Sequence, residues 1–187
     1  MTAERTGADR LTGHLTGHLT GEEYKAVFRR HPAGVAVVAM RHQGRPVGFT
    51  ATSVISVSAE PPLLAFSLAD TSSCAPAVAV AETVAVSLLA EHQDDVSARF
   101  ATSGVDRFAA GGWSTLPTGE PVIDGAHAWI RARVLERTPV GSSFLVSLLA
   151  IEAEWRPEAT PLVFHDRAYH RLARRFSAGA GGTASGA

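Results

Sequence analysis

The residues of this chain best suited to chemistry are hydroxyls. In the stretch Gly48-Phe-Thr-Ala-Thr-Ser-Val-Ile-Ser-Val-Ser58, a strand places Val47, Phe49, Ala51, Ile55 and Val57 on one face and Thr50, Thr52, Ser56 and Ser58 on the other. Successive hydroxyls on that face stand about 7 Å apart. Such a row has two readings: the solvated face of a half-buried sheet, or a line of neutral donors along which the polyol or phosphate of a ligand lies. A second pair, Ser72-Ser73, precedes a short apolar stretch beginning at Cys74. It reads either as a plain helix cap or as an anion site, because the unpaired N–H groups and dipole of a helix amino terminus favour phosphate.

Other constellations lack their residues. The chain has no GxGxxG, GxxxxGK[ST], HExxH or GxSxG, which sets aside dinucleotide-fingerprint, P-loop, zincin and hydrolase-elbow chemistry. His165 beside Asp166 is no catalytic dyad, since adjacent strand residues point to opposite faces and no nucleophile accompanies them. Cys74 is the single cysteine, so an intramolecular disulfide and a Cys-rich zinc site are excluded and no metal is expected; this usage points to a cytoplasmic setting. Seventeen Lys and Arg against eighteen Asp and Glu give a net charge of -1, which offers no field to hold nucleic acid. Every apolar run is broken well before the roughly 20 residues of a membrane helix. Met1 to Arg10 lacks the apolar stretch of a secretory signal.

The elements that must position the hydroxyls are mostly short strands. The 187 residues, 45% hydrophobic, fit one domain over 20–174, between a flexible arm at 1–19 and a flexible tail at 175–187. The arm holds the LTGH repeat with His14 and His18, whose glycines argue against a helix and a shared metal. Thr20 with Glu23 forms a capping box that starts a helix running to about Arg30. Strands are predicted at Ala33–Met40, Val47–Ser58, Pro62–Leu68, Glu82–Leu89, Ala126–Glu136, Phe144–Trp155 and Pro161–His165. Short helices are predicted at about Cys74–Val80 and His92–Ala101, and a turn at Thr138-Pro-Val-Gly. Small helices inserted among six or seven strands make a closed or nearly closed barrel, mainly β.

Arg30-His-Pro-Ala-Gly-Val-Ala-Val-Val38, Gly48-Phe-Thr-Ala-Thr-Ser53, Val57-Ser-x-x-Pro-Pro-Leu63, Ser97-Ala-Arg-Phe-Ala101 and Pro161-Leu-Val-Phe-His-x-x-x-Tyr169 together resemble the flavin reductase component of two-component flavin-dependent monooxygenases. The likeness implies a homodimeric, Greek-key-like FMN-binding split β-barrel. It implies that NADH or NADPH reduces FMN or FAD, which then diffuses to a separate oxygenase. It further implies that Thr50, Ala51, Thr52 and Ser53 hold the ribityl and phosphate portion, that Ser67 and Leu68 lie along the isoalloxazine edge, and that Ser72 and Ser73 sit at the phosphate. Arg99 and Phe100 would border the site, although Arg99 also suits an ion pair with Asp94 or Asp95 and Phe100 also suits the core. His165 and Tyr169 match the region that approaches flavin and nicotinamide. No catalytic side chain is expected, because hydride passes directly between two aligned rings. One departure stands out: the family's Gly-Asp-His, with its His near the nicotinamide, is Gly141-Ser142-Ser143 here. Two further readings stay open on that account, a flavoprotein that retains FMN for a different redox reaction and a non-catalytic flavin-binding protein.

Overall fold

The computed structural model of the chain describes residues 17–172, so most of the predicted arm, with His14, and the tail lie outside the described residues. The capping box forms as predicted. Thr20 accepts from the Glu23 N–H while the Glu23 carboxylate takes the Thr20 N–H, opening helix α1 (Gly21–Phe28). Then come β1 (Ala33–Gly34), β2 (Ala36–His42), β3 (Arg45–Ala51), β4 (Ile55–Ser58), β5 (Leu63–Ala69), α2 (Ala75–Val80), β6 (Thr83–Leu88) and α3 (Asp94–Ala101). The second half is β7 (Trp113–Thr115), β8 (Pro121–Ile123), β9 (Ala128–Val140), β10 (Ser143–Trp155), β11 (Leu162–His165) and β12 (Ala168–Arg171).

Seven strands form one antiparallel sheet in the order β3-β2-β6-β9-β10-β5-β4. Alternation along Val35–Met40 explains why β2 sits inside it. Ala36, Val38 and Met40 join Phe49, Phe66, Val84, Val146 and Leu148 in the barrel core. Val35, Val37 and Ala39 face the other way, onto Leu89, Val96, Phe100, Phe108 and Leu162. A strand buried on both faces reads as a continuous apolar run, as this one does. The two edges of the sheet, β3 and β4, are consecutive in the chain and do not pair with each other. The barrel is therefore split along a seam that only residues 52–54 cross.

That seam overturns the prediction of a single strand over Val47–Ser58. Pairing with β2 ends at Ala51, and pairing with β5 begins at Ile55. The proposed row of four hydroxyls is broken, and Ile55 and Val57 are 55% and 56% exposed where the sequence pattern put them with the core. The predicted turn at Thr138-Pro-Val-Gly is also displaced. Both strands run on until Val140 pairs with Ser143, leaving Gly141-Ser142 as a two-residue hairpin tip with Gly141 at φ 60. Pro139 is tolerated because β6 pairs with β9 only over Ala128–Arg133, so the proline lies on an unpaired edge.

Strands β1, β7, β8 and β12 are too short to show period two. The β7–β8 ribbon is fixed by buried polar groups instead. Ser87 accepts from the Ile123 N–H at 3.0 Å, and Gln93 donates to the Asp124 carbonyl at 2.8 Å while accepting from Ala90 N–H at 2.9 Å. Glu120, 3% exposed, is held by Arg131 at 2.8 Å and by the Thr118 hydroxyl. Burial alone would raise this carboxyl, but hydrogen bonds from Thr118, Thr83 and Arg131 outweigh it and hold its pKa below the ordinary glutamate value. A depressed folded pKa contributes stability above the unfolded pKa and loses it as pH falls through the folded one. Thermal melts should therefore fall off below about pH 4.5, and more shallowly in Glu120→Gln.

Candidate functional site

The seam is where the hydroxyls collect. Ser53 ties it shut with two hydrogen bonds to one residue of β5, accepting from Ser67 N–H at 3.1 Å and donating to Ser67 carbonyl at 3.0 Å. Beyond the end of β5 the chain turns tightly, Ser72 N–H reaching Ala69 carbonyl and Ala75 N–H reaching Ser72 carbonyl. The Ser72 hydroxyl accepts from Cys74 N–H at 3.2 Å, and Cys74 itself takes the cap position of α2 without a side-chain cap. The serines thus shape the turn before α2, and neither caps that helix as the sequence pattern suggested. Helix α3 forms the third wall, fastened to β3 by the Thr50 hydroxyl, which donates to the Ser97 carbonyl at 2.7 Å.

These three surfaces line a cavity of about 520 Å³ that is open to solvent. It is bounded by Thr50, Ala51, Thr52 and Ser53 from the seam, Ser67 and Leu68 from β5, and Ser72 and Ser73 from the turn. Phe100 underlies it and is fully buried, its ring in a T-shaped contact with Phe108 at 4.9 Å. Arg107 completes the wall. Its Nη1 donates to Gly48 carbonyl at 2.7 Å and to Cys74 Sγ at 3.0 Å, and its Nε donates to Thr102 carbonyl at 2.9 Å. The volume falls in the range of about 300–1,000 Å³ that encloses an organic ligand. Its lining of hydroxyls, backbone amides and one guanidinium suits a polyol and a phosphate. Gly48 does not line it but packs so closely behind it that a Cβ there would lie 3.0 Å from Val38 carbonyl.

The chain matches the family described as Flavin reductase like domain over residues 28–173. It is 47% identical over 154 residues to the NADH:FMN oxidoreductase of Rhodococcus qingshengii, covering 80% of each chain. The reductase component of a flavin-dependent trigonelline monooxygenase from Acinetobacter baylyi is 44% identical over 108 residues, 57% of this chain and 35% of that one. Among solved structures, the NADH:FAD oxidoreductase of Streptomyces globisporus C-1027, in complex with NAD and FAD fragments, superposes with a TM-score of 0.78 at 28% identity. That match covers 82% of this chain and 93% of the other. The chain belongs to the flavin reductase family.

Within this flavin reductase, the remaining predicted positions separate. Arg99 does not reach the cavity; its Nη2 donates to Gly111 carbonyl at 3.1 Å and its guanidinium lies 5.6 Å from the Phe100 ring centroid. It pairs with neither Asp94 nor Asp95. Tyr169 donates to the Ser97 hydroxyl at 2.9 Å, so that β12 and β3 both hang on Ser97 of α3. His165 borders a second pocket, which shares Thr52 with the first. Ser142 and Ser143 line neither pocket, but Ser142 carbonyl accepts from Asp70 N–H at 3.0 Å, holding the β9–β10 tip against the turn that carries Ser72 and Ser73. Arg107 escapes a reading by motif, because a loop arginine beyond a glycine has no spacing to mark it.

Proposed function

We propose that this protein is an NADH- or NADPH-dependent flavin reductase that reduces FMN or FAD and hands it to a separate flavin-dependent oxygenase. The observation carrying this reading is the seam cavity, whose donors match the ribityl and phosphate portion of a flavin. The Thr52 hydroxyl and the Ser53 backbone N–H supply donors at the seam, Ser72 and Ser73 supply them at the α2 turn, and Arg107 adds charge beside Ser73. Ser67 and Leu68 form the edge along which the flat ring lies. When bound, the flavin accepts a hydride directly from a nicotinamide ring, so the protein's task is to align two planes and keep water from between them. His165 and Tyr169 stand on the nicotinamide side, as does the hairpin tip with Ser142 and Ser143.

The Rhodococcus relative is named for NADH and FMN, which makes that pair the first to try. A spectrophotometric assay crossing NADH and NADPH with FMN and FAD tests the reading. Rapid oxidation of one nicotinamide only when flavin is present supports it, and no turnover in any of the four combinations would falsify it. Thr52→Val keeps the shape and removes one donor. It should weaken flavin binding by about threefold to tenfold, with the fold intact, in a fluorescence titration.

The homodimer is part of the same proposal. An apolar groove of about 340 Å³ runs over β4, β5 and their neighbours in the sheet, lined by Val54, Ile55, Leu63 and Ile130 among others. Ile151 and Trp155 of β10 add exposed apolar surface, 49% and 69% accessible. Sedimentation equilibrium should return twice the 19.6 kDa of one chain. Among the described residues no helix is long and apolar enough to cross a membrane. We place the protein in the cytoplasm on its cysteine usage, a single Cys74 that is free and buried.

A further inference from the structure

Thr52 belongs to two pockets. The second, of about 280 Å³, lies between α1 and the turn joining β11 to β12. Its apolar side is Tyr24 and Phe28, whose ring centroids are 4.5 Å apart, with Phe164 behind them. Helix α1 buries none of its residues, and both aromatics are 53% exposed, so the face is uncovered in the single chain. The polar side carries Arg29 and Arg167, together with Lys25, His31, His165 and Asp166. Lys25 is paired with Glu22 at 2.9 Å, but among the described residues neither arginine side chain has a hydrogen bond or an ion pair. Both line the same pocket, and both lower the exposed Glu22 carboxyl after the larger effect of Lys25.

Arg167 occupies a position that favours glycine. Asp166 and Arg167 make the two-residue turn between β11 and β12 at φ 47 and φ 64. A hairpin of that kind suits Asn or Asp first and Gly second, and a side chain in the left-handed region costs about 1 kcal/mol. The turn is held on α1 by Asp166 N–H, which donates to the Arg29 carbonyl at 2.9 Å. Here a charged side chain is kept at a strained position, next to a second unpaired cation and a pair of uncovered aromatic rings.

We propose that this pocket binds the adenosine diphosphate half of a dinucleotide, with adenine on Tyr24 and Phe28 and the pyrophosphate on Arg29 and Arg167. The reactive half reaches the seam cavity past Thr52. FMN has no such half, so the ligand is the nicotinamide nucleotide or FAD; the assignment of the reactive half rests on the reductase reading above.

ADP-ribose titrated calorimetrically into the full chain reads the pocket without turnover. Arg167→Gly places the favoured residue in the turn, so its melting temperature should not fall, while ADP-ribose affinity falls about tenfold. Arg29→Gln, which leaves the Arg29 carbonyl contact in place, should lose affinity in the same direction. Steady-state kinetics then separate the sources. A KM for NADH raised about tenfold with FMN as acceptor, and more than kcat is lowered, assigns the pocket to the nicotinamide nucleotide. A KM raised for FAD and not for NADH assigns it to FAD. No binding of ADP-ribose, or affinity unchanged in both variants, overturns the proposal. Binding that depends on Arg167 in a protein that reduces no flavin keeps the pocket and discards the reductase reading.

Discussion

Arg107→Met is expected to bind FMN about a hundredfold more weakly than the parent, a loss of about 2.7 kcal/mol, and riboflavin only a few-fold more weakly. The reason lies in how the side chain is held. Nε and Nη1 are committed to the carbonyls of Thr102 and Gly48 and to Cys74 Sγ, which locks the guanidinium plane, while Nη2 has no partner among the described residues. It stands on the cavity wall with Ser72 and Ser73. A guanidinium fixed in place loses little further entropy on meeting a phosphate, and its charge is worth more beside a partly buried site than at the surface. Riboflavin carries the same ring and ribityl chain without the phosphate, so it separates anion binding from bracing of the loop. Arg107→Lys keeps the charge and loses the fork, and should fall between parent and Arg107→Met. Equal losses for both ligands would assign Arg107 to bracing alone, and an unchanged FMN titration would place the phosphate elsewhere.

How far the amino-acid sequence discloses this site differs from residue to residue. Thr50, Thr52, Ser53, Ser72 and Ser73 drew notice as donors, and all five border one cavity. They do not form a single row, because a hydroxyl row requires one continuous strand. Whether a strand continues is decided by its partners, here β2 before the seam and β5 after it. Nothing local to Thr52 or Val54 records that change. The core was more legible: the apolar run at Val35–Met40 is buried as a central strand should be. Arg99 shows the converse, since a basic residue inside a recognisable motif drew attention while a loop arginine eight positions later holds the cavity wall. Helix periodicity says which face a residue takes, but not which loop will fold back to meet it.

The second large effect is predicted at a residue with no side chain. Gly48 has an ordinary backbone conformation, so alanine meets no torsional objection there; the objection is space. A Cβ would lie 3.0 Å from Val38 carbonyl and 3.2 Å from both Phe100 Cε1 and Phe108 Cζ. The carbonyl belongs to β2, which pairs on both sides and cannot retreat without disturbing a ladder. The two rings are buried and locked against each other. Overpacking of this kind costs about 1–3 kcal/mol, which in a domain of this size lowers the melting temperature by about 3–10 °C. Gly34→Ala is the control, since its Cβ meets nothing within 4 Å and its melting temperature should hardly move. The damage at Gly48 should also reach the ligand. Phe100 underlies the cavity, and the Gly48 carbonyl is the anchor of Arg107, so displacing either shifts the proposed phosphate donor. FMN affinity in Gly48→Ala should therefore fall about tenfold, and combining it with Arg107→Met should cost less than the sum of the two, because the first change already loosens what the second removes. Strict additivity in that cycle would separate the packing under the cavity from the guanidinium on its wall.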